Sequence, residues 1–299
     1  MAHLRFSGAV ALAFLTAVAQ GAPPPMGDVL AASTADDWRP VDPARTLYVD
    51  LPAGRVIVLL EPRFAPLHVA AILRLARAGY YDGLPILRVQ DDYVVQWADP
   101  DHRHPLPNGL LRVAPEFDAA LTPSLPFTRL PDGDVYAPEV GFSDGVPVAR
   151  SVREGRVWLA HCYGMVGVGR DLDASSGSGA ELYAVIGHAP RHLDRNVALV
   201  GRVLEGMELL AELPRGAGQM GFYTPEQRPL HIERIRVAAD LPAAERTQLE
   251  QLRTDTRTFA ALVESRRNRP EEFFKRRAGK IDLCNVPLPV RAAPSAQSP

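Results

Sequence analysis

GYYDGLPILRVQDDYVVQWAD, residues 79–99, is the stretch whose reading decides the fold. Gly79 closes a helix and Tyr80-Tyr81-Asp82-Gly83 makes a turn. Two short strands follow, at 86–90 and 93–99, joined tightly through Asp91-Asp92. Apolar residues dominate both strands, and Arg88 and Gln96 interrupt them. A lone arginine in a strand ordinarily faces solvent. Here the polar pair sits among Ile86, Leu87, Val89, Tyr93 and Val94, the make-up of a mostly apolar cleft with a few fixed donors.

On the N-terminal side, residues 46–51 and 54–60 read as a hairpin about Pro52-Ala53-Gly54, with VIVLL as a buried strand. Pro66 opens a helix reaching Ala78, where Val69, Ile72, Leu73, Leu75 and Ala76 recur at helical spacing. Residues 23–44 carry few periodic signals and read as a loosely ordered lead-in. Residues 1–22 read as an export signal, with a buried helix as the alternative. His3 and Arg5 precede the apolar run 8–19, and Ala17-Val18-Ala19 offers the small residues of a cleavage site. That run is short for a membrane span, so none is expected after cleavage.

On the C-terminal side the pattern dissolves between 102 and 155, where eight prolines fall, and it resumes afterwards. This is the mark of a long insertion. His102 and His104 are too isolated for a metal site. Residues 156–162 and 165–170 read as a strand pair about Tyr163-Gly164. Strands at 181–187 and 197–205, a helix at 206–213 and a strand at 230–239 complete the set, with a slip at Arg234 that fits a bulge. The loop 169–179, GRDLDASSGSG, has neither the glycine and final acid of a calcium loop nor the Lys-Ser/Thr of a phosphate loop. It reads as a flexible edge to a substrate site. Residues 242–277 read as a helix packed on the barrel, with a docking helix for a partner as the alternative; Leu249, Leu252, Phe259, Leu262 and Val263 lie on one face. Its basic end reads as solvated and the last few residues as disordered.

The 299 residues are 46% hydrophobic and 23% charged, enough for one substantial core with extensions. A net charge of −2, with no long basic patch interleaved with aromatics, argues against a nucleic-acid binder. Lys275 and Lys280 are the only lysines, and the abundance of Arg, Ala and Pro fits a GC-rich bacterial genome. In an oxidising compartment Cys162 and Cys284 are candidates for one disulfide tying the tail to the barrel, with two thiols as the alternative.

The stretch YYDGLPILRVQDDYVVQWADP resembles the signature of the cyclophilin-type peptidyl-prolyl isomerases, roughly YYDG-x-x-FHRV-x-x-x-F-V-x-Q-GGDP. Ile86-Leu87 stands for the usual Phe-His, and Trp97-Ala98 for Gly-Gly. GMVGVGRD, SGSGAELYAVIG and HLDRNVALVGRVLEGMELL resemble the later family segments, and the likeness runs from about 46 to 240. It implies a mainly β fold: a closed, eight-stranded antiparallel cyclophilin-like barrel capped by two helices. The long Pro-rich insertion at about 102–155 then lies inside a domain of residues 23–240, and residues 241–299 form a C-terminal helix and tail.

The resemblance also implies an activity, cis–trans isomerisation of X-Pro bonds, with no cofactor or metal. The barrier to peptide rotation is about 18–20 kcal/mol. It falls when a fixed donor stabilises the twisted state, whose prolyl nitrogen gains a lone pair. Arg88 matches the family's donor. Tyr93, Val94, Tyr183 and Leu193 match its proline pocket, and Gln96 the residue that orients the arginine or holds the substrate backbone. Gly169 falls at the pocket edge, Glu181 where Gln is usual, His192 where Trp or Tyr is frequent and Val197 where some members have His. Tyrosine in place of phenylalanine at two pocket positions adds hydroxyls that need partners. Proline-containing peptides or unfolded exported proteins are the expected partners, in the bacterial periplasm. A non-catalytic module of the same fold that binds Pro-containing segments is the alternative.

Overall fold

The computed structural model describes residues 22–107 and 112–294. All of the expected export signal but Ala22 lies outside them. Sixteen strands occur among the described residues, numbered in chain order, and fall into three sheets. Eight form the main sheet: β2 (Thr46–Leu51), β3 (Gly54–Leu60), β4 (Ile86–Val89), β5 (Val94–Trp97), β11 (Met165–Val168), β12 (Leu182–Val185), β13 (Leu199–Glu205) and β14 (Arg234–Val237). Their spatial order is β14-β2-β3-β13-β11-β12-β5-β4, antiparallel throughout.

This main sheet is curled but open, not the closed barrel expected. No ladder joins the edges β14 and β4, because β14 is only four residues long and pairs with β2 alone. The chain before each edge makes the approach instead: Gly83 and Ile86 N–H donate to the Ile232 and Leu230 carbonyls, at 2.9 and 2.8 Å. The slip read at Arg234 lies where the chain passes from these bonds to pairing with β2. Four helices occur among the described residues rather than the two barrel caps expected: α1 (Met26–Ala31), α2 (Pro66–Arg77), α3 (Met207–Ala211) and α4 (Arg257–Arg267).

Side chains alternate across a strand, and this sheet is lined on both faces. Val95 and Trp97 of β5 and Leu182 and Ala184 of β12 point inward to a core closed by Val69, Ile72 and Leu75 of α2. Pro66 fits the first turn of α2, where its missing N–H is not needed. Glu116 caps that helix, its carboxylate accepting from the Leu67 and His68 N–H groups at 2.9 Å each.

The opposite face carries a second core that the sequence did not reveal. The stretch read as an insertion contributes four strands, β6 (Ala119–Ala120), β7 (Thr128–Leu130), β8 (Glu139–Ser143) and β9 (Val146–Ser151), which join β10 (Arg156–Leu159) in a sheet of order β6-β10-β9-β8-β7. β10 therefore does not pair with β11. His161, bonded to Asp194, and Cys162, joined to Cys284, redirect the chain between them. The lead-in is ordered too: α1 packs near α4, and β1 (Trp38–Pro40) pairs with β15 (Leu249–Leu252), which pairs with β16 (Val290–Ala292). Leu249 and Leu252 thus lie in a strand, not on the C-terminal helix. That helix begins only after Thr256, whose hydroxyl accepts from Phe259 N–H at 3.2 Å. Elements this short draw their stability from tertiary partners rather than from their own periodicity. Val29, Trp38, Phe142, Trp158 and Phe259 fill the second core together with Val94, Tyr183 and Val185 of the main sheet.

Candidate active site

Arg88 reaches the cleft through a break in register. Ile86 pairs with Trp97 and Arg88 with Gln96, so the irregularity at Leu87 lets Ile86 and Val89 both enter the inner core while Arg88 faces out. Only 8% of Arg88 is exposed. Its Nε donates to the Met220 carbonyl at 2.7 Å, one Nη to Gln96 Oε1 at 3.1 Å and the other to Gln90 Oε1. The guanidinium lies between the rings of Tyr93 and Phe222, 5.4 and 5.3 Å from their centroids, within cation–π range. Burial lowers its pKa from the ordinary arginine value, opposed by Tyr93 and Glu181, and an arginine so shifted stays charged. A guanidinium has five N–H groups, so three bonds leave two. Among the described residues no carboxylate is within ion-pair distance of it.

Glu181 acts one step away. It accepts from Gln96 Nε2, which fixes that amide with its oxygen towards Arg88. Burial raises the Glu181 pKa from the ordinary value, and the Gln96 bond partly opposes it. The close approach of β11 to β12 depends on glycine: a Cβ at Gly167 would overlap the Tyr183 ring, and one at Gly169 the Glu181 carboxylate. The resulting cleft, about 750 Å³, is lined by Arg88, Tyr93, Val94, Gln96, Gly169, Glu181, Tyr183 and Leu193, with Val197 and residues 170–173 along its side. His192 stands behind it, stacked on Tyr93 with centroids 6.4 Å apart. Trp97 points into the inner core, away from the cleft.

The sequence profile described as cyclophilin type peptidyl-prolyl cis-trans isomerase/CLD matches residues 46–237, more than half of the chain. The chain belongs to the cyclophilin family. The crystal structure of cyclophilin AquaCyp293 from Hirschia baltica superposes with a TM-score of 0.70 at 26% identity, covering 90% of this chain and 98% of that one. A probable peptidyl-prolyl cis-trans isomerase of Brucella suis is 38% identical over 74 residues, 25% of this chain and 35% of the relative. Human peptidyl-prolyl cis-trans isomerase-like 1 is 29% identical over 99 residues, 33% of this chain and 56% of the relative. The chain thus spans about a third to a half of the lengths of these two relatives.

Two further parts of the cyclophilin cleft escaped the sequence reading. The chain from 216 to 223 covers the β4 edge, with Gly216 N–H on the Val89 carbonyl at 2.9 Å and Tyr223 N–H on that of Leu87 at 3.0 Å. It supplies the Met220 carbonyl and the Phe222 ring, yet no periodicity marks a loop whose partners lie about 130 residues away. The other part is buried. Tyr183 hydroxyl meets His161 Nε2 at 2.9 Å, and His161 Nδ1 meets Asp194 at 2.8 Å. Arg191 joins Asp194, at 2.6 Å, to Asp134 in the connection between β7 and β8, at 2.9 Å. The ionised carboxylate can only accept, so Nδ1–H donates to Asp194 and Nε2 accepts from the Tyr183 hydroxyl. A tyrosine in place of phenylalanine signals that such a partner is required; which residue supplies it is tertiary.

Proposed function

We propose that this cyclophilin catalyses cis–trans isomerisation of X-Pro bonds in exported or unfolded proteins. The observation that carries this reading is Arg88: held by three acceptors and two rings, out of ion-pair distance of every carboxylate among the described residues, with two N–H groups left over beside an apolar pocket. Tyr93, Val94, Tyr183 and Leu193 receive the proline ring, and Gln96 orients Arg88. As the peptide bond twists, the prolyl nitrogen becomes pyramidal and its lone pair accepts from Arg88. That bond exists only in the twisted state, so it lowers the barrier rather than merely tightening binding. A charged hydrogen bond of about 1.5–3 kcal/mol corresponds to roughly 10–100-fold in rate. Residues 8–19 and the Cys162–Cys284 disulfide both favour an oxidising, exported setting, the bacterial periplasm.

NMR exchange spectroscopy on an Ala-Pro peptide tests the reading. The expected result is faster exchange with the parent protein and a loss of roughly 10–100-fold in Arg88→Ala, with peptide binding retained. Binding without acceleration by the folded parent would leave the non-catalytic Pro-binding module as the function.

A further inference from the structure

The C-terminal segment between α4 and the disulfide is built as a projecting loop. Asp132 holds both of its ends, accepting from Arg267 Nε at 2.7 Å and from Ile281 N–H at 3.1 Å. Asn268, itself bonded to Glu264 at 2.7 Å, accepts from Gly279 N–H at 3.0 Å and closes the base. Residues 272–280 are exposed without interruption.

Its tip reads Phe273-Phe274-Lys275-Arg276-Arg277. Phe273 is 84% exposed and Phe274 38%, so the fold leaves an adjacent aromatic pair in water. Five cations, Arg269, Lys275, Arg276, Arg277 and Lys280, stand against Glu271 and Glu272 in a chain whose net charge is −2. Both lysines of the whole chain lie here. Glu271 faces Arg266 at 3.7 Å, and among the described residues none of the five cations pairs with a carboxylate.

We propose that loop 268–280 docks the protein on an anionic lipid bilayer. Phe273 and Phe274 enter the interface between headgroups and acyl chains, and the cations meet the lipid phosphates. Interfacial anchors combine an apolar wedge with flanking cations in this way. The two rings stand edge to face at 85°, and Arg269 covers one face of Phe274 at 4.9 Å. That suits insertion as a wedge better than the open stacking platform a single-stranded nucleic acid uses.

Co-sedimentation of the folded protein tests the proposal, using phosphatidylglycerol/phosphatidylethanolamine vesicles beside pure phosphatidylcholine vesicles. Binding to the anionic vesicles only, weakening steeply with salt, is expected. Phe273→Ser with Phe274→Ser is expected to weaken it on the order of 10-fold, and Lys275→Glu with Arg276→Glu and Arg277→Glu to abolish it. A Phe273→Trp variant gives a direct reading, a blue-shifted emission quenched by bromine-labelled acyl chains. No vesicle binding by the parent, binding that the serine variant leaves intact, or capture by polyglutamate or an oligonucleotide but not by vesicles overturns the proposal.

Discussion

Arg88 is defined by what holds it as much as by its charge. Three acceptors spend three of its donors and leave two, and Glu181 acts on it through the Gln96 amide and by its charge. At the pocket floor, the Tyr183 ring and its hydroxyl have separate jobs. The ring faces the cleft, while the hydroxyl satisfies buried His161. Tyr183→Phe is therefore expected to keep isomerase activity within a few-fold while losing about 1–3 kcal/mol of stability, because His161 Nε2 is left buried without a partner. Urea unfolding beside the NMR exchange assay checks both halves.

Among the elements, the break in β4 positions the site, and the cap on α2 secures the helix that closes the inner core beneath the sheet. Without the irregularity at Leu87, strict alternation would put Arg88 on the same face as Ile86, in the inner core. The α2 cap comes from Glu116, 48 residues beyond His68, whose ring Nδ1 it also meets at 2.7 Å. Glu116→Ala is expected to cost about 1–2 kcal/mol and to lower Tm by roughly 2–4 °C per kcal/mol, measured by thermal unfolding. Gly167 and Gly169 act at the same scale: a Cβ at Gly167 would overlap the Tyr183 ring of β12, and one at Gly169 would displace the Glu181 carboxylate.

For the whole molecule, the outer face of the sheet and the second core are joined by the disulfide and by the buried chain from His161 to Asp134. The disulfide spans 122 residues. Cys162→Ser with Cys284→Ser is expected to cost about 2–5 kcal/mol, and a reductant is expected to lower the parent's Tm but not the variant's. The buried chain adds a pH dependence. Burial holds the His161 pKa below its ordinary 6.5, against the pull of Asp194. The unfolded chain then takes up that proton first, so stability present above pH 6.5 declines as pH falls below it. Asp194 would be raised by burial, but the His161 bond and the Arg191 charge reverse this and lower it from 3.8. Its contribution is present above 3.8 and is lost as pH falls through its lower folded value. Tm measured from pH 7.5 to 5 is expected to fall in the parent and to fall less in His161→Gln.

Much of this was legible in the chain itself. Residues 79–99 carry their turn, hairpin and polar pair locally, and local spacing is what a sequence records; the later segments aligned Tyr183, Glu181 and Leu193 with them. All eight strands of the main sheet were found for the same reason, and so were α2 and α3; the strand at 156–162 was found as well, but it pairs with β9 and β6 rather than with β11. The errors share one cause. The open edge between β14 and β4, the sheet hidden in a Pro-rich stretch, the strand at Leu249–Leu252 and the ordered lead-in all depend on partners distant in sequence. Leu249 and Leu252, three residues apart, fit a helix face as well as an irregular strand, and only pairing with β1 and β16 decides between them. Likewise Phe222, Met220 and His161 reach the site through contacts that no local pattern encodes. The sequence determined which residues could make a proline cleft; the tertiary structure decided what braces it, because burial and hydrogen-bond satisfaction are properties of the assembled chain.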